Sequence, residues 1–313
     1  IYGVTLIILT LFSPTGLVGL FENSFRWVRN AIRPKPPPDI PYVEGRALQS
    51  DQLAHLARSE TRGHLVVESA TVTFGGVHAV EDVSFEIEPG SVTGLIGSNG
   101  AGKTTCFNAM TGHVSGAEGR FVLDGEDLTG MPIHQRSLRG MGRTFQNLNL
   151  HGDMTVLHHA LLGLDRELGY GRASEFFRLP WVLEAERSAH YRAAELLDHM
   201  GLLEHWNDKV EDLPYGLQKR VDVVRAMATE PSILLLDEPA AGLPTAEAAE
   251  MMEQVRQFAE FSGATLLVIE HNVELVADVC ERVIVMDAGQ ILADGTAEEV
   301  MTDERVIAAY LGS

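Results

Sequence analysis

The hydrophobic and polar positions change their period along the chain from residue 64 onwards. Residues 65–74 have apolar and β-branched character and residues 80–87 alternate, so both segments are predicted to be half-buried strands. Short continuous runs of Val, Ile, Leu and other apolar residues are typical of strands that are covered on both faces. Such runs occur at residues 92–96, 233–236, 265–269 and 283–286.

Helical spacing of apolar residues lies between and around these runs, at residues 104–111, 185–200, 218–227, 245–261 and 272–280. Strands that alternate with helices predict an α/β fold, in which crossover helices connect a mostly parallel sheet. Residues 150–230 contain no convincing strand pattern. We therefore expect a helical subdomain at about residues 147–230, inserted into the α/β core.

The first 62 residues differ in charge from the remainder of the chain. They carry seven Lys/Arg and five Asp/Glu, a balance of +2, whereas the remainder has a balance of −22. This shift predicts a domain boundary near residue 62. The domains are then predicted at residues 1–32, a membrane tail, at residues 33–62, a proline-rich linker that is stiff where its prolines cluster, and at residues 63–313, the folded domain.

The apolar run at residues 1–12 is shorter than the ~20 residues that a membrane span requires. One interpretation is the end of a transmembrane helix whose start lies outside this chain. The basic residues Arg26, Arg29, Arg33 and Lys35 follow the run and favour the cytoplasmic side for that flank. The other interpretation is a buried strand or helix of a soluble domain.

Composition narrows the class of protein. Hydrophobic residues make up 45% of the chain, which is enough for a packed core. The net charge of −20 argues against nucleic-acid binding, because nucleic-acid-binding domains normally present a basic surface. The two cysteines, Cys106 and Cys280, form no Cys-x-x-Cys pair, so neither a disulfide scaffold nor a thiolate zinc site is expected.

A glycine-rich segment between the strand at 92–96 and the helix at 104–111 matches the pattern G-x-x-x-x-G-K-[ST]. In this pattern, backbone N–H groups surround phosphate oxygens, and the helix N-terminus adds positive potential. Lys103 is expected to contact the β- and γ-phosphates, and the Thr104 hydroxyl to bind Mg²⁺. The predicted nucleotide-binding residues are Gly97, Ser98, Asn99, Gly100, Ala101, Gly102, Lys103, Thr104 and Thr105.

Two adjacent carboxylates follow the apolar run at 233–236. Asp237 lies at the predicted strand end, where it would hold Mg²⁺ through water. Glu238 is expected to polarise the attacking water as a general base. Together with the phosphate loop, the pair predicts a nucleotide hydrolase.

Further motifs resemble those of the ATP-binding subunits of ABC transporters, from about Leu65 to the C-terminus. The segment Arg-Thr-Phe-Gln that ends at Gln146 resembles the family's Q-loop, which implies that Gln146 senses Mg²⁺ and the γ-phosphate. His271 resembles the switch histidine that contacts the γ-phosphate. Phe74 occupies the place where the family stacks an aromatic ring on adenine.

The segment Leu-Pro-Tyr-Gly-Leu at residues 213–217 lies where the family has its signature Leu-Ser-Gly-Gly-Gln. Pro214 replaces the serine, whose hydroxyl reaches a γ-phosphate across a dimer in the family. Backbone groups at Tyr215 and Gly216, with the following helix N-terminus, could still face the phosphate. Pro244 replaces the usual acidic or amide residue of the D-loop.

Where it departs from the general family pattern, the chain resembles one subgroup, the ATP-binding subunits of branched-chain amino-acid importers. Four motifs carry this resemblance: the Tyr-Gly signature, the Arg-Thr-Phe-Gln segment, Glu-Pro-Ala-Ala-Gly-Leu at residues 238–243 and the C-terminal end at residues 305–312. Residues 9–20 resemble the C-terminal end of the permease that works with such a subunit. The chain then resembles a permease end fused to its ATPase.

The resemblance implies ATP-driven solute import across the cytoplasmic membrane, with ATP and Mg²⁺ as cofactors. The implied partners are a second ABC ATPase subunit, membrane permease subunits and, indirectly, an external solute-binding protein. The implied location is the cytoplasmic face of the cell membrane. Three alternatives stay open: an ATPase of an export or lipid-transport system, a soluble ABC protein of DNA repair or translation, and a binding module without ATPase activity.

Overall fold

Two β-sheets carry the folded part of the chain, in a computed structural model that describes residues 62–146, 148–164 and 180–311. The predicted membrane tail at residues 1–32 and the linker at residues 33–62 lie outside the described residues, except for Arg62. These two predictions are therefore not tested by the structure.

The first sheet is antiparallel, with four strands in the order β2-β1-β4-β5. Its longest strands, β1 and β2, pair along their length and are joined at Gly75 and Gly76, which both have positive φ. Buried apolar side chains alternate with exposed, mostly polar ones along much of both strands, as expected for a half-buried sheet. The strands are β1 (Leu65–Phe74), β2 (Val77–Ile87), β4 (Glu118–Leu123) and β5 (Glu126–Asp127).

The second sheet has six strands in the order β10-β9-β3-β8-β7-β6. The strands β3, β6, β7, β8 and β9 run parallel, and only the edge strand β10 is antiparallel. Parallel strands end at one common edge, where α/β proteins place their ligands. The strands are β3 (Val92–Gly97), β6 (Met141–Arg143), β7 (Ile233–Asp237), β8 (Thr265–Ile269), β9 (Arg282–Asp287) and β10 (Gln290–Gly295).

Nine helices of the described chain follow or connect these strands. Local signals set several of their ends: Gly112 ends α1 in the left-handed conformation, and Thr296 and Glu299 form a capping box before α8. The helices are α1 (Lys103–Thr111), α2 (Ile133–Leu138), α3 (Val156–Leu164), α4 (Pro180–His199), α5 (Tyr215–Met227), α6 (Thr245–Ser262), α7 (Val273–Val279), α8 (Ala297–Thr302) and α9 (Glu304–Leu311).

The described residues between 148 and 230 form helices and short 3₁₀ turns, without a named strand. Within this region α3 packs against α4 and α5. Gly163 allows the close approach to α5, since a Cβ there would lie 2.5 Å from the Cβ of Ala228. The predicted helical character of this stretch agrees with the structure, while its boundaries as a subdomain remain a prediction.

The main apolar core lies between the two sheets and around α1. Its largest fully buried side chains include Phe107 of α1, Phe121 of β4 and Leu95 of β3. The core anchors the start of α1, and therefore fixes the segment between β3 and α1 in front of the parallel sheet.

The predicted α/β class, with an antiparallel sheet beside a mostly parallel one, is confirmed. The sequence pattern missed strands β4, β5, β6 and β10 and helices α2, α3, α8 and α9. The strand β6 spans only Met141–Arg143 with a central glycine, which is too short for a period to be recognised. Strand β4 begins with Glu-Gly-Arg, which gives no apolar alternation in its first half.

Candidate nucleotide-binding and hydrolysis site

The glycine-rich segment forms a tight loop between β3 and α1, as predicted. Gly97 lies so close to β9 that a Cβ would meet the Met286 carbonyl oxygen at 2.3 Å. Gly102 has a φ of +97°, and a Cβ there would lie 2.4 Å from the Ala79 carbonyl oxygen. Both positions therefore require glycine. Ser98 is half-buried, whereas Asn99 and Gly100 are exposed at the tip of the loop.

Residues at the base of the loop are more enclosed. Ala101 is buried, and Thr104 and Thr105 in the first turn of α1 are half-buried. Lys103 is 7% exposed, and its ammonium donates to the carbonyl oxygens of Gly97 at 2.7 Å and Ser98 at 2.9 Å. The Lys103 side chain therefore folds back over the phosphate loop, where it is predicted to contact a phosphate.

The charge of Lys103 is balanced by the two carboxylates at the end of β7. Burial lowers the pKa of Lys103, while the negative charges of Glu238 and Asp237 raise it. Strands β3 and β7 run parallel on either side of β8, so the phosphate loop after β3 and the two carboxylates at the end of β7 lie at one edge of the sheet.

Asp237 is 1% exposed, and each of its polar groups faces a different environment. Its Oδ2 accepts from Nη2 of Arg143 at 3.2 Å, and its backbone N–H donates to Oγ1 of Thr144 at 3.1 Å. Its Oδ1 is buried and has no hydrogen-bond partner in the described structure. Burial raises the pKa of Asp237, and the Arg143 charge opposes that shift.

Glu238 follows with a φ of +50°, a conformation that non-glycine residues rarely adopt. Its backbone N–H donates to the carbonyl of Ile269 at 3.0 Å, which ties the turn to β8. The carboxylate Oε2 accepts from Nε2 of Gln146 at 3.1 Å. The backbone strain points the chain sharply away from β7, and such outliers cluster at functional sites.

The donors present fit Mg²⁺. The unpartnered, buried Oδ1 of Asp237 is an oxygen ligand without a proton donor, and the Thr104 hydroxyl and the Gln146 amide oxygen are of the same hard type. No group of three or more His, Cys, Asp or Glu among the described residues could hold a metal ion by itself.

His271 lies just after β8, at the same edge of the sheet. Its side chain is 59% exposed, and its Nδ1 is 3.8 Å from Oε2 of the buried Glu270. Glu270 Oε1 accepts from the backbone N–H of Ala240 at 2.9 Å. The ring of His271 is thus accessible, and Glu270 connects its position to the segment that follows β7.

Phe74 ends β1 and is 53% exposed, which leaves its ring available for stacking. Tyr215 and Gly216 form the first turn of α5, and Tyr215 is 49% exposed. In the part of the chain that the structure describes, no hydrogen bond or ion pair joins these two residues to the phosphate loop. The geometry therefore brings the phosphate loop, Gln146, Asp237 and Glu238 together, and leaves the signature segment apart.

The signature helix contacts Glu238 through a residue that sequence reasoning missed. Lys219, one turn beyond Tyr215, is 3% exposed and donates to the Glu238 carbonyl oxygen at 3.1 Å. Its ammonium also lies 5.8 Å from the centre of the Tyr215 ring. Arg143, Thr144 and Glu270 were missed as well. These residues lie next to the motif residues Gln146 and His271, and that proximity was the one sequence feature that could have indicated them. Their hydrogen-bond partners are seen only in the tertiary structure.

Cys106 is fully buried in α1, and burial raises the pKa of its thiol to about 12. His159 lies in α3 and is fully buried, and its Nε2 lies 3.1 Å from the His151 carbonyl oxygen. No helix in residues 62–146, 148–164 and 180–311 has the length and hydropathy that a membrane span requires.

Comparison with known proteins agrees with the fold. The family model described as ABC transporter matches residues 80–241, and the model described as branched-chain amino acid ATP-binding cassette transporter matches residues 290–313. The fold and the site define a phosphate-loop ATPase. The chain belongs to the ABC transporter family, as one of its ATP-binding, ATP-hydrolysing proteins.

Several curated proteins are similar over most of their length. The high-affinity branched-chain amino acid transport ATP-binding protein LivG of Escherichia coli K12 is 40% identical over 248 residues, which cover 79% of this chain and 97% of LivG. BraF of Pseudomonas aeruginosa, described in the same words, is 38% identical over 80% of this chain and 99% of BraF. The lipopolysaccharide export system ATP-binding protein LptB of Haemophilus influenzae is 32% identical over 79% of this chain and 97% of LptB.

Solved structures give the same answer. The ADP conformation of MJ1267, an ATP-binding cassette of an ABC transporter, is 31% identical, covers 81% of this chain and 100% of its own, and superposes with a TM-score of 0.69. A nucleotide-free ATP-binding cassette from an ABC transporter is 30% identical, covers 80% of this chain and 100% of its own, and has the same TM-score of 0.69.

Proposed function

We propose that this chain is the nucleotide-binding subunit of a transporter that imports branched-chain or other hydrophobic amino acids. The observation that carries the proposal is the meeting of the phosphate loop, Gln146, Asp237 and Glu238 at one edge of the parallel sheet. The solute class is supported by the similarity to LivG and BraF and by the family match at residues 290–313.

ATP binding begins with the loop between β3 and α1. Its backbone N–H groups and the α1 N-terminus provide positive potential for the phosphates. Lys103 exchanges its two carbonyl acceptors, Gly97 and Ser98, for phosphate oxygens. Phe74 offers its exposed ring to adenine. These roles make the loop and the end of β1 the two contacts that hold the nucleotide.

Thr104, Gln146 and Asp237 would hold Mg²⁺. The metal, when bound, neutralises the charge that develops on the phosphate oxygens. Asp237 is suited to this role because its Oδ1 has no other partner, while its Oδ2 is held by Arg143. The Gln146 side chain reaches Glu238, so the metal position and the base position share one residue.

Hydrolysis requires a group that accepts a proton from the attacking water. Glu238 is half-buried and its carboxylate accepts a hydrogen bond from Gln146, which orients it at the loop side of β7. His271 lies at the same edge with an accessible ring, from which it could donate to the γ-phosphate. Glu238 as base and His271 as donor complete the chemistry that the ATPase needs.

A second ABC ATPase subunit would complete the nucleotide site. Among the described residues, the first turn of α5, with Tyr215 and Gly216, forms no hydrogen bond or ion pair with this chain's own phosphate loop, and Tyr215 is 49% exposed. Pro214 caps that helix without a side-chain hydrogen bond, so a partner's phosphate would be met by backbone N–H groups and the helix N-terminus. The dimer encloses ATP between this turn and the partner's phosphate loop, which excludes water.

Permease subunits would dock on the outer side of the Q-loop. A cavity of about 290 Å³ lies there between α2, β6 and α3, and the exposed apolar residues Ile133 and Leu162 line it. Leu148, Leu150 and Met154, which follow the Q-loop in sequence and are half-buried, are further candidates for this groove. Docking would hold the chain at the cytoplasmic face of the membrane, with an external solute-binding protein serving the same transporter.

The N-terminal residues extend this proposal. Residues 1–32, which resemble a permease end, and the linker at residues 33–62 would tether the ATPase domain of residues 63–313 to the membrane. The support is the sequence pattern alone: an apolar run with a basic flank, followed by prolines.

The second candidate function is ATP supply to a lipid or export system, which the 32% identity to LptB favours. Uptake of radiolabelled leucine, isoleucine and valine separates the two, measured in the native host with a Glu238→Gln allele. Import predicts the loss of ATP-dependent uptake of these amino acids. Normal uptake, with a defect in the cell envelope, would support the export alternative.

A further inference from the structure

The guanidinium of Arg143 is more completely fixed than that of an ordinary surface arginine. Its side chain is 9% exposed and forms an ion pair with Asp237, which is 1% exposed. Its Nη1 donates to Oγ1 of Thr111 at 2.6 Å and lies 3.2 Å from Nδ1 of His113. Its Nε donates to the Thr144 carbonyl at 3.2 Å.

Two aromatic rings confine the same group. The central carbon of the guanidinium lies 4.8 Å from the centre of the Phe107 ring and 5.0 Å from that of Phe145. Phe107 belongs to α1, the helix that the phosphate loop opens, and Phe145 precedes Gln146. The guanidinium of Arg143 is therefore packed between elements that flank the nucleotide site. This packing restricts rotation of the planar group away from Asp237.

The consequence for Asp237 is an asymmetric carboxylate. Arg143 occupies Oδ2, and Thr144 holds the backbone N–H of the same residue. Oδ1 is left buried and without a partner. A carboxylate in which one oxygen is fixed and the other is free is suited to bind a metal or its water at the free oxygen.

We propose that Arg143 is a positioning residue for the Mg²⁺ of the nucleotide site: it holds Oδ2 of Asp237 so that Oδ1 points to the metal. This rests on the metal role given to Asp237 above. Arg143 itself touches neither metal nor nucleotide. Without it the Asp237 carboxylate can rotate, and the metal loses a fixed ligand even though the phosphate loop is intact.

The test measures metal-dependent binding rather than activity. The full chain is titrated with a fluorescent, non-hydrolysable ATP analogue, once with saturating Mg²⁺ and once with EDTA. The measured quantity is the ratio of the dissociation constant in EDTA to the dissociation constant in Mg²⁺. In Arg143→Met this ratio should fall at least fivefold, while the constant in EDTA stays within twofold of wild type. Arg143→Lys should fall in between, because an ammonium cannot hold Asp237 and Thr111 together with the fork geometry.

Two further variants fix the interpretation. Asp237→Asn should lose the Mg²⁺ dependence, and the double variant should be no worse than Asp237→Asn alone. Arg139→Met is the matched control, since Arg139 is 39% exposed and pairs with Glu126 away from the site. An unchanged ratio in Arg143→Met, with only a lower melting temperature, would overturn the inference and show a purely structural role.

The outcomes distinguish this inference from the proposed function. If Asp237→Asn keeps the wild-type Mg²⁺ dependence, the metal site itself is misassigned. If Asp237→Asn loses it and Arg143→Met keeps it, the metal site stands and the role of Arg143 is wrong. Should Arg143→Met fail to fold, Arg143→Lys decides: a ratio reduced at least threefold supports the role, and a wild-type ratio refutes it.

Discussion

The phosphate loop and the signature segment are both glycine-containing turns at a helix N-terminus, yet their surroundings differ. Gly97 and Gly102 of the loop are pressed against backbone, where a Cβ would lie 2.3 Å and 2.4 Å from carbonyl oxygens. Gly216 of the signature segment has only side chains nearby, at 3.1 Å and 3.3 Å. Lys103 is 7% exposed, whereas Tyr215 is 49% exposed.

The difference shows how the site is divided. The loop is shaped by its own domain, which also supplies Asp237, Glu238 and Gln146, so one chain contains the chemistry of hydrolysis. The signature segment presents an exposed helix N-terminus. Its helix α5 meets the hydrolytic half through Lys219, which donates to the Glu238 carbonyl, and through Asp222, which accepts from the Phe145 N–H at 3.4 Å. Variants at the two places should therefore fail in different ways.

The largest effect is expected at the hydrolytic half. Glu238→Gln removes the base and keeps the loop, so turnover should fall at least about 100-fold, within the ~10²–10⁴-fold that general-base catalysis contributes. ATP affinity should stay within about twofold, because the phosphate cradle is untouched. Phosphate release and nucleotide binding are measured side by side. Glu118→Gln, an exposed carboxylate at the start of β4, is the control, and a wild-type rate in Glu238→Gln would contradict the assignment.

Lys103→Ala should damage binding itself. Loss of a charged hydrogen bond to phosphate is worth ~1.5–3 kcal/mol, which corresponds to an increase of about tenfold or more in the ATP dissociation constant. The control is Lys209→Ala, since the Lys209 side chain is 53% exposed and pairs with Glu211. Equal ATP affinity in the two variants would remove Lys103 from the site.

Gly216→Ala tests the open half. Its new methyl group meets Oε2 of Glu247 at 3.1 Å within the chain, and this exposed, flexible side chain can move aside, so stability should change by no more than about 1 kcal/mol. In the Glu238→Gln background it should also prevent ATP-dependent dimerisation in sedimentation experiments, because the backbone can no longer approach a phosphate.

Gly152→Ala is the matched control, as its methyl group would also face a glutamate carboxylate, at 3.2 Å from Oε2 of Glu211. It should remain folded and still dimerise. A chain that stays monomeric and hydrolyses ATP at full rate, at any protein concentration, would rule out the shared site.

Phe74→Ala should have a smaller effect at the edge of the site. Stacking contributes ~0.5–1.5 kcal/mol, so ATP affinity should fall about two- to tenfold while turnover at saturating ATP is kept. Val77→Ala, also exposed at 68%, is the control. Triphosphate without a base should bind both forms equally; a difference there would argue against stacking on adenine.

The smallest effect concerns pH and the buried Glu270, which connects the end of β8 to the segment after β7 through the backbone N–H of Ala240. Burial raises the pKa of Glu270, and the Ala240 N–H opposes this shift. The folded state therefore holds the proton more tightly than the unfolded state, and the free energy of unfolding falls as pH rises from about 4.3 through the raised pKa.

Glu270→Gln cannot ionise, so it removes the fall in the free energy of unfolding at higher pH. Its amide oxygen can still accept the hydrogen bond from the Ala240 N–H. Its melting temperature should equal that of wild type at pH 4 and exceed it at pH 8. Glu274→Gln, exposed on α7, should leave the wild-type profile unchanged. A Glu270→Gln variant that is less stable at pH 8 than wild type would show that the carboxylate charge stabilises the fold.

Much of the hydrolytic half could be predicted before any coordinates. The strands β3 and β7 are continuous apolar runs that end in a glycine-rich pattern and in two carboxylates, so the motifs identify both chemistry and position. Strands β6 and β10 could not be predicted in the same way. β6 spans three residues, and the side chains of β10 are half-buried or exposed, so neither has a recognisable period.

The sequence by itself determined the class of fold, the phosphate loop, the residues Asp237 and Glu238, and the family, because these depend on local patterns and on residue types. Only the tertiary structure decided that Arg143 holds Oδ2 of Asp237, that Lys219 reaches the Glu238 carbonyl, and that Glu270 binds Ala240. Each of these contacts joins residues far apart in the chain or on different elements. From the sequence alone, an Arg, Lys or Glu could pair with many different residues. Burial and close packing in the folded chain determine which partner it takes.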